Sequence, residues 1–556
     1  MQWLKRQQKT LFPDILAGMT GAIAGAPQAM GFALIAGVSP LYGLYAAIVP
    51  AIIGALFSRS IFMTIAPTNV LMLLVGVALA SYEHPDPPLP LFTLTVMVGI
   101  WQVLFGVFRL GKLTEFVSNA VILGFVTGVA VLIMLGQLDH LTGYPIQVEG
   151  NTLVKAWDWL IHLPESHLET TFLGIVSIVM IYGLHHTRLK YVATLVAIVV
   201  TGGLVTVLSW TEVALVRDMA VIPAGLPAPV LPDMQYVLNF LPITFSIAIL
   251  ASIQSAAIIN NMRDIDGTTP RMSWEFLAQG IANIFGGIFQ ALPASGSLSR
   301  TAVNLSAGAK TRLANLFSGV FIAIFLVSAG AVLEAITLPA LAGHLIVAAA
   351  TMIDYKAIRL VWRVRLSARI AMVSTFLATL ILPLEYSIFV GIILSLALYL
   401  YSSAHNITVV RLLPTDEHHY RVAPIPEKVP CDEPLVLSVS GNLYFAAVPR
   451  LEQLLPAPIG CEHPVVILRL RDNPYLGSTG IKMLERYARR LHEKGGKLIL
   501  SGISPAVQQQ LESTNAIERL GRENIFYEED IIFSATEKAL AYAQTWLRSL
   551  ATPIPP

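Results

Sequence analysis

Leu292-Pro-Ala-Ser-Gly-Ser-Leu-Ser-Arg-Thr-Ala-Val-Asn304 lies between two long apolar runs. It sets Pro and Gly, then hydroxyls, then Arg300, where the surrounding hydropathy predicts bilayer. Broken backbone at that depth is tolerated only where it lines a cavity. An arginine inside a membrane segment is costly and marks a functional site by default. A short helix starting at Ser297 would aim free N–H groups and its positive dipole end into the cavity. These features predict an anion site inside a membrane protein. Taken alone, the stretch also fits an ordinary loop with Ser297 as N-cap and Arg300 snorkelling.

Composition supports the membrane reading. The chain has 556 residues, 55% apolar and 13% charged, whereas a soluble domain is about 25% charged. Charges thin out after Asp14 and return from Arg411 onward. The predicted organisation is a short cytoplasmic N-terminus (1–12), a transmembrane domain (13–403), a linker (404–433), a mixed α/β domain (434–550) and a tail (551–556). The net charge of +1 says nothing about partners, and the lack of a basic tract argues against nucleic acid. No metal-ligand spacing, nucleotide loop or nucleophile–base set appears, so no cofactor, metal or enzymatic activity is expected. Cys431 and Cys461 are expected to be reduced. His185-His186 and His418-His419 are expected to be solvated loop residues.

About 14 apolar runs fall between Ile15 and Tyr401, two of them too short to span. Lys5, Arg6, Lys9, Arg109, Lys112, Arg188, Lys190, Lys310, Arg312 and the basic residues from Lys356 to Arg369 then fall on one side. The opposite loops, Glu83 to Pro88 and Asp139 to Glu169, are acidic or proline-rich. The positive-inside rule makes that basic side cytoplasmic, with both termini on it.

The Ser297 helix, ending near Ser306, would cover roughly 13 Å, about half of a 30 Å core. A matching break occurs earlier: Ile61-Phe-Met-Thr-Ile65 is extended in character, and Ala66-Pro67-Thr68-Asn69 opens a helix, with Pro67 placed for a first turn. Third of seven and tenth of fourteen are corresponding positions in two halves, and paired interrupted segments point to a transporter's binding site. Opposed directions bring both positive helix ends to the midplane.

Pro27-Gln28-Ala-Met-Gly-Phe32 and Ala36-Gly-Val-Ser-Pro-Leu-Tyr-Gly-Leu-Tyr45 resemble the signature of the SulP family of sulfate permeases. Ser297-Leu-Ser-Arg300 with Gly308-Ala-Lys-Thr-Arg312, and Gly124-Phe-Val-Thr-Gly128, resemble that family's tenth and fifth helices. The C-terminal domain resembles STAS. The resemblance implies a polytopic α-helical membrane protein of fourteen transmembrane segments in two inverted seven-helix repeats, split into core and gate, plus a cytoplasmic α/β STAS domain. It implies a multi-pass cell-membrane location (inner membrane in a bacterium), a homodimer, and protein partners reached through the STAS domain.

By the same resemblance, Gln28 and Phe32 come from helix one and Thr68 from helix three. Gln254 comes from helix eight, and the Leu298 and Ser299 amides, the Ser299 hydroxyl and Arg300 from helix ten. Amides and hydroxyls would replace the anion's hydration, Phe32 would supply a weakly polar wall, and Arg300 would supply field. Sulfate is the first expected substrate, with bicarbonate, chloride and dicarboxylates as rivals. Gln254 stands where many bacterial members carry an acid, so cation coupling is weakened and exchange, facilitated transport or an uncoupled channel gains ground; a purely structural hydrogen-bonding role for Gln254 stays open. In the C-terminal domain, Gly477-Ser478-Thr479-Gly480 resembles the phosphorylatable STAS loop. Gly477 replaces its usual Asp, so Ser478 is read first as an N-cap and second as a regulatory phosphosite.

Overall fold

The computed structural model describes residues 2–80, 82, 88–111, 118–146, 148, 150–185, 187, 192–219, 225–261, 271–416, 419–441, 443–471, 473 and 475–551. The chain divides into two compact units, Met1–Ile393 and Leu394–Pro556. Lys112, Arg188, Lys190, residues 83–87, His186 and His418, all used above, lie outside the described residues.

On the apolar runs of the first unit lie the helices α1 (Gln2–Ile35), α2 (Pro40–Phe57), α3 (Asn69–Leu79), α4 (Leu89–Val107), α5 (Asn119–Leu135), α6 (Leu168–His185) and α7 (Ala193–Leu208). They continue as α8 (Val237–Asn261), α9 (Met272–Ile288), α10 (Leu298–Ser306), α11 (Leu313–Glu334), α12 (Leu338–Met352), α13 (Leu366–Ile381) and α14 (Leu384–His405), the last shared with the second unit. Each expected apolar run is thus occupied by a helix. Among the described residues, seven helical stretches are long and apolar enough to cross a membrane by length and composition. α3 and α10, at 11 and 9 residues, are half that span. The residues read as an N-terminal tail are part of α1.

The helices pack in two groups. α1, α2, α4, α9 and α11 pack on one another, and α8 and α10 join them through α4 and α1. α5 packs on α13 and α12, and α12 on α6 and α7. Glycines of two family-like motifs permit two close crossings. A Cβ at Gly43 would fall 2.0 Å from the Ala29 carbonyl oxygen, so α2 can lie against α1 only with glycine there. A Cβ at Gly124 would fall 2.2 Å from the Met372 carbonyl oxygen, which does the same for α5 on α13. In a bilayer, close backbone approach of this kind replaces the hydrophobic drive available in water.

The second unit holds a six-stranded sheet. Its strands are β3 (Thr408–Asp416), β4 (His419–Ala423), β5 (Leu435–Ser440), β6 (Val465–Arg469), β7 (Lys497–Ile503) and β8 (Ile525–Tyr527), β1 and β2 being the short pair described below. The order is β4-β3-β5-β6-β7-β8, parallel from β5 to β8 and antiparallel at β3 and β4. Its helices include α15 (Val448–Leu454), α16 (Gly477–His492), α17 (Pro505–Ser513) and α18 (Ser534–Ala551). Along β6, Val466 and Leu468 enter one apolar cluster and Val465 and Ile467 the opposite one, as expected of a parallel strand covered on both faces. The stretch 404–433 is therefore not a plain linker: it supplies β3 and β4, which complete the sheet edge. His419 likewise lies in β4 and not in a loop.

Ser478 does not cap α16. The N-cap is Leu476, and Gln510 Oε1 accepts the free Leu476 and Gly477 N–H groups. A distant glutamine has taken the capping role, which leaves the Ser478 hydroxyl exposed in the first turn. Both cysteines are free thiols; burial first, then the neighbouring Cys431, pushes the Cys461 thiol up to about 12.

Candidate anion site

Two short strands organise the centre of the first unit. β1 (Thr64–Ala66) and β2 (Ser295–Ser297) pair antiparallel, with Thr64 opposite Ser297, Ile65 opposite Gly296 and Ala66 opposite Ser295. All six residues are buried. The pairing satisfies extended backbone that has no helical partner. It also places the starts of α3 and α10 at opposite ends of one ladder. Ser297 caps α10 by accepting the Arg300 N–H. Thr68 is the N-cap position of α3 but makes no side-chain cap, and Pro67 precedes the helix instead of opening it.

A polar lattice behind the ladder fixes this geometry. Thr64 N–H donates to Thr301 Oγ1 and Thr64 Oγ1 donates to Asn315 Oδ1 at 2.6 Å. Asn304 also donates to Asn315 Oδ1, and Asn315 Nδ2 donates to the Met63 carbonyl. Two fully buried carboxylates act the same way. Asp14 accepts Lys310 N–H, Thr311 N–H and the Thr311 hydroxyl, while Glu275 accepts Ser58 Oγ and the Arg59 and Ser60 N–H groups. The sequence reading missed both; each is an acid inside or beside an apolar run, which was the available signal.

The expected site residues fall into four places. Gln28, Ser299 and Arg300 line one cavity of about 330 Å³. Gln28 Nε2 donates to Ser299 Oγ at 3.1 Å, tying α1 to α10. Thr68 and Gln254 meet elsewhere: Gln254 Oε1 accepts the Thr68 hydroxyl at 3.1 Å and the Ser295 hydroxyl at 2.9 Å. Gln254 thus bonds α8 to both breaks through its carbonyl end, while among the described residues its amide NH₂ has no partner. Phe32 lies one turn beyond Gln28 on α1 and is buried in the apolar cluster, so it does not line this cavity as a wall. Leu298 is 60% exposed and is not part of the lining.

Arg300 is only 5% exposed. Its Nη2 donates to the Gly25 carbonyl at 2.5 Å, and its Nε and Nη1 have no partner among the described residues. A guanidinium does not shed its proton in proteins. Each unpaired buried donor costs about 1–3 kcal/mol, which an anion in the cavity would recover. No carboxylate lines the cavity among the described residues. His185 ends α6 and lines it with His344 and Thr194, so His185 is not the free loop residue expected. His344 drew no notice in the sequence because a lone histidine in an apolar run has no spacing signature.

A profile of the Sulfate permease family matches residues 11–403, and one of the STAS domain matches residues 423–530. The chain is 29% identical over 546 residues to the "Probable sulfate transporter 4.2" of Arabidopsis thaliana, covering 92% of this chain and 79% of that protein. It is 24% identical to the "Putative sulfate transporter YvdB" of Bacillus subtilis (strain 168), covering 93% and 96%. The solved structure of SLC26A9 superposes with a TM-score of 0.84 at 20% identity, covering 99% of this chain and 92% of that one. At that identity the likeness speaks for the fold.

Proposed function

The chain belongs to the sulfate permease family, and we propose that it is a secondary transporter of small anions, sulfate first, working by alternating access. The single observation that carries this reading is the β1–β2 ladder, which starts two half-length helices and opens one of them, α10, beside a cavity lined by a buried arginine whose Nε and Nη1 have no partner among the described residues. The α10 N-terminus and the guanidinium supply positive potential, with no carboxylate in the lining among the described residues. The Gln28 amide, the Ser299 hydroxyl and the α10 amides supply donors in place of water. Sulfate leads because relatives across plants and bacteria bear that name; bicarbonate, chloride and dicarboxylates are the rivals.

The proposed architecture is fourteen spans in two inverted seven-helix repeats with both termini cytoplasmic, in a multi-pass cell-membrane protein. The first packing group would be the moving core and the second the gate. The STAS domain would support a homodimer and receive cytoplasmic protein partners. The proposed domain limits are 13–403 for transport and 434–550 for the STAS core, with residues 404–433 supplying its edge strands. Ser478, exposed at the start of α16, is the proposed regulatory hydroxyl.

A second reading has its own support. Gln254 cannot titrate, and its carbonyl is already engaged by Thr68 and Ser295. This favours exchange or uncoupled conduction over cation-driven uptake. Proteoliposome uptake of labelled sulfate, chloride, bicarbonate and a dicarboxylate, with and without imposed proton or sodium gradients, tests both. Sulfate uptake that is saturable and not driven uphill by an imposed gradient is expected. Conductance far above exchanger turnover would select the channel, and no uptake of any anion would overturn the transport reading.

A further inference from the structure

We propose that His344 is a proton-sensing, anion-contacting residue of the transport site, presented by the second helix group across the cavity from Arg300. The proposal rests on the anion-transport reading and adds its regulation. His344 is 9% exposed and lines the same cavity as Arg300, Gln28 and Ser299. Its Nδ1 is bonded to Thr194 Oγ1 at 2.9 Å, which fixes the ring. Its Nε2 is buried and has no partner among the described residues. A buried imidazole nitrogen left open beside a cavity is placed to donate to a ligand that the protein itself does not supply.

The surroundings determine what that ligand is. α1, α5, α6, α7 and the short helix Leu138–Thr142 pack against α12. α5 and α7 carry no ionisable side chain. Asp14 of α1 is consumed by the Lys310 and Thr311 groups. Glu169 and Tyr182 of α6, and Asp139 and His140 of the short helix, do not line the cavity. The ionisable groups that do, among the described residues, are Arg300, His185 and His344, all cationic or neutral. With no carboxylate to hold it, a proton on His344 is stabilised by the bound anion, and by linkage the anion is stabilised by the proton. Histidine changes charge in the range where such a link operates. α12 packs with α1 as well as with α5, α6 and α7, and not with the α10 ladder, so the proton sits on a helix outside the ladder that carries Arg300. This pH response is therefore separate from gradient coupling at Gln254.

Purified protein in nanodiscs should bind sulfate on the order of tenfold tighter near pH 5.5 than near pH 8, with a smaller change for monovalent chloride. Sulfate addition to weakly buffered protein should take up protons, read with a pH dye. His344→Gln, which keeps a polar group for Thr194, should show a flat profile at the weak, high-pH affinity and no proton uptake. Thr194→Val keeps the imidazole but loses its partner, so the pH response should persist with a displaced midpoint. A wild-type profile in His344→Gln overturns the assignment, as does a flat wild-type profile with sulfate binding intact. If His344→Gln fails to fold, an unchanged midpoint in Thr194→Val overturns it. Wild-type protein that binds and moves none of the anions removes the transport reading itself, and this one with it.

Discussion

Gly25 and Arg300 interlock: the Gly25 carbonyl accepts Arg300 Nη2, and a Cβ on Gly25 would sit 2.5 Å from Arg300 Cζ. The position of the cationic group thus depends on a missing side chain on α1. The clashing atoms are the mobile end of the arginine, so Gly25→Ala can be accommodated by moving the guanidinium away from α1. A several-fold rise in KM with near-normal expression is expected, and Arg300→Ala should lower affinity further, by about tenfold or more. Wild-type uptake kinetics in folded Arg300→Ala protein would count against the site.

Ser299 separates the amide role from the hydroxyl role. Ser299→Ala loses the Gln28 partner but keeps the α10 N–H, so a mild loss of uptake is expected. Ser299→Pro deletes the N–H and pushes Leu298 out of the helical region, so uptake should be abolished. Equal, mild effects of both would sink the amide cradle.

Gln254→Glu keeps an acceptor for Thr68 and Ser295 while adding a titrating group. Its carboxylate, formed at higher pH, opposes the anion, and its neutral acid does not. Uptake in the variant should therefore fall as pH rises and recover as pH falls, by more than the wild-type response. Measured in a His344→Gln background, this added dependence isolates the new acid. A flat profile there would remove Gln254 from the neighbourhood of the anion.

Removal of the sheet domain tests whether it regulates or conducts. Because β3 and β4 belong to the sheet, a cut after His405 removes it whole, whereas a cut before Pro434 would strand an unpaired hairpin. Residual sulfate uptake with a smaller oligomer by light scattering is the expected result. An unchanged oligomer mass together with unchanged rates would remove the STAS domain from both roles.

Much of the fold was legible because its signals are local. Apolar length marks a spanning helix whatever surrounds it. The Pro-Ala-Ser-Gly break and the matching Ala-Pro-Thr-Asn break announced two half-helices. Continuous apolar runs mark β5, β6 and β7, since both faces of a parallel strand must be covered. Where local signals competed with partners far along the chain, they failed. Ser478 has the chemistry of an N-cap, but Gln510, 33 residues from Gly477, has its place. The family resemblance sets Phe32 beside Gln28 in the site, but packing turns it into the apolar cluster.

The sequence by itself determined that the chain is a membrane protein with a broken-helix pair, a buried arginine beside it and an α/β domain after it, because hydropathy and backbone chemistry are properties of short segments. Only the tertiary structure decided which donors stay unpaired. Asp14 and Glu275 are satisfied by backbone N–H groups hundreds of residues away, whereas among the described residues Arg300 Nε and Nη1 and His344 Nε2 are left open around one cavity. Whether a buried polar atom finds a partner is a property of the packed neighbourhood and not of the residue, and no local pattern encodes it.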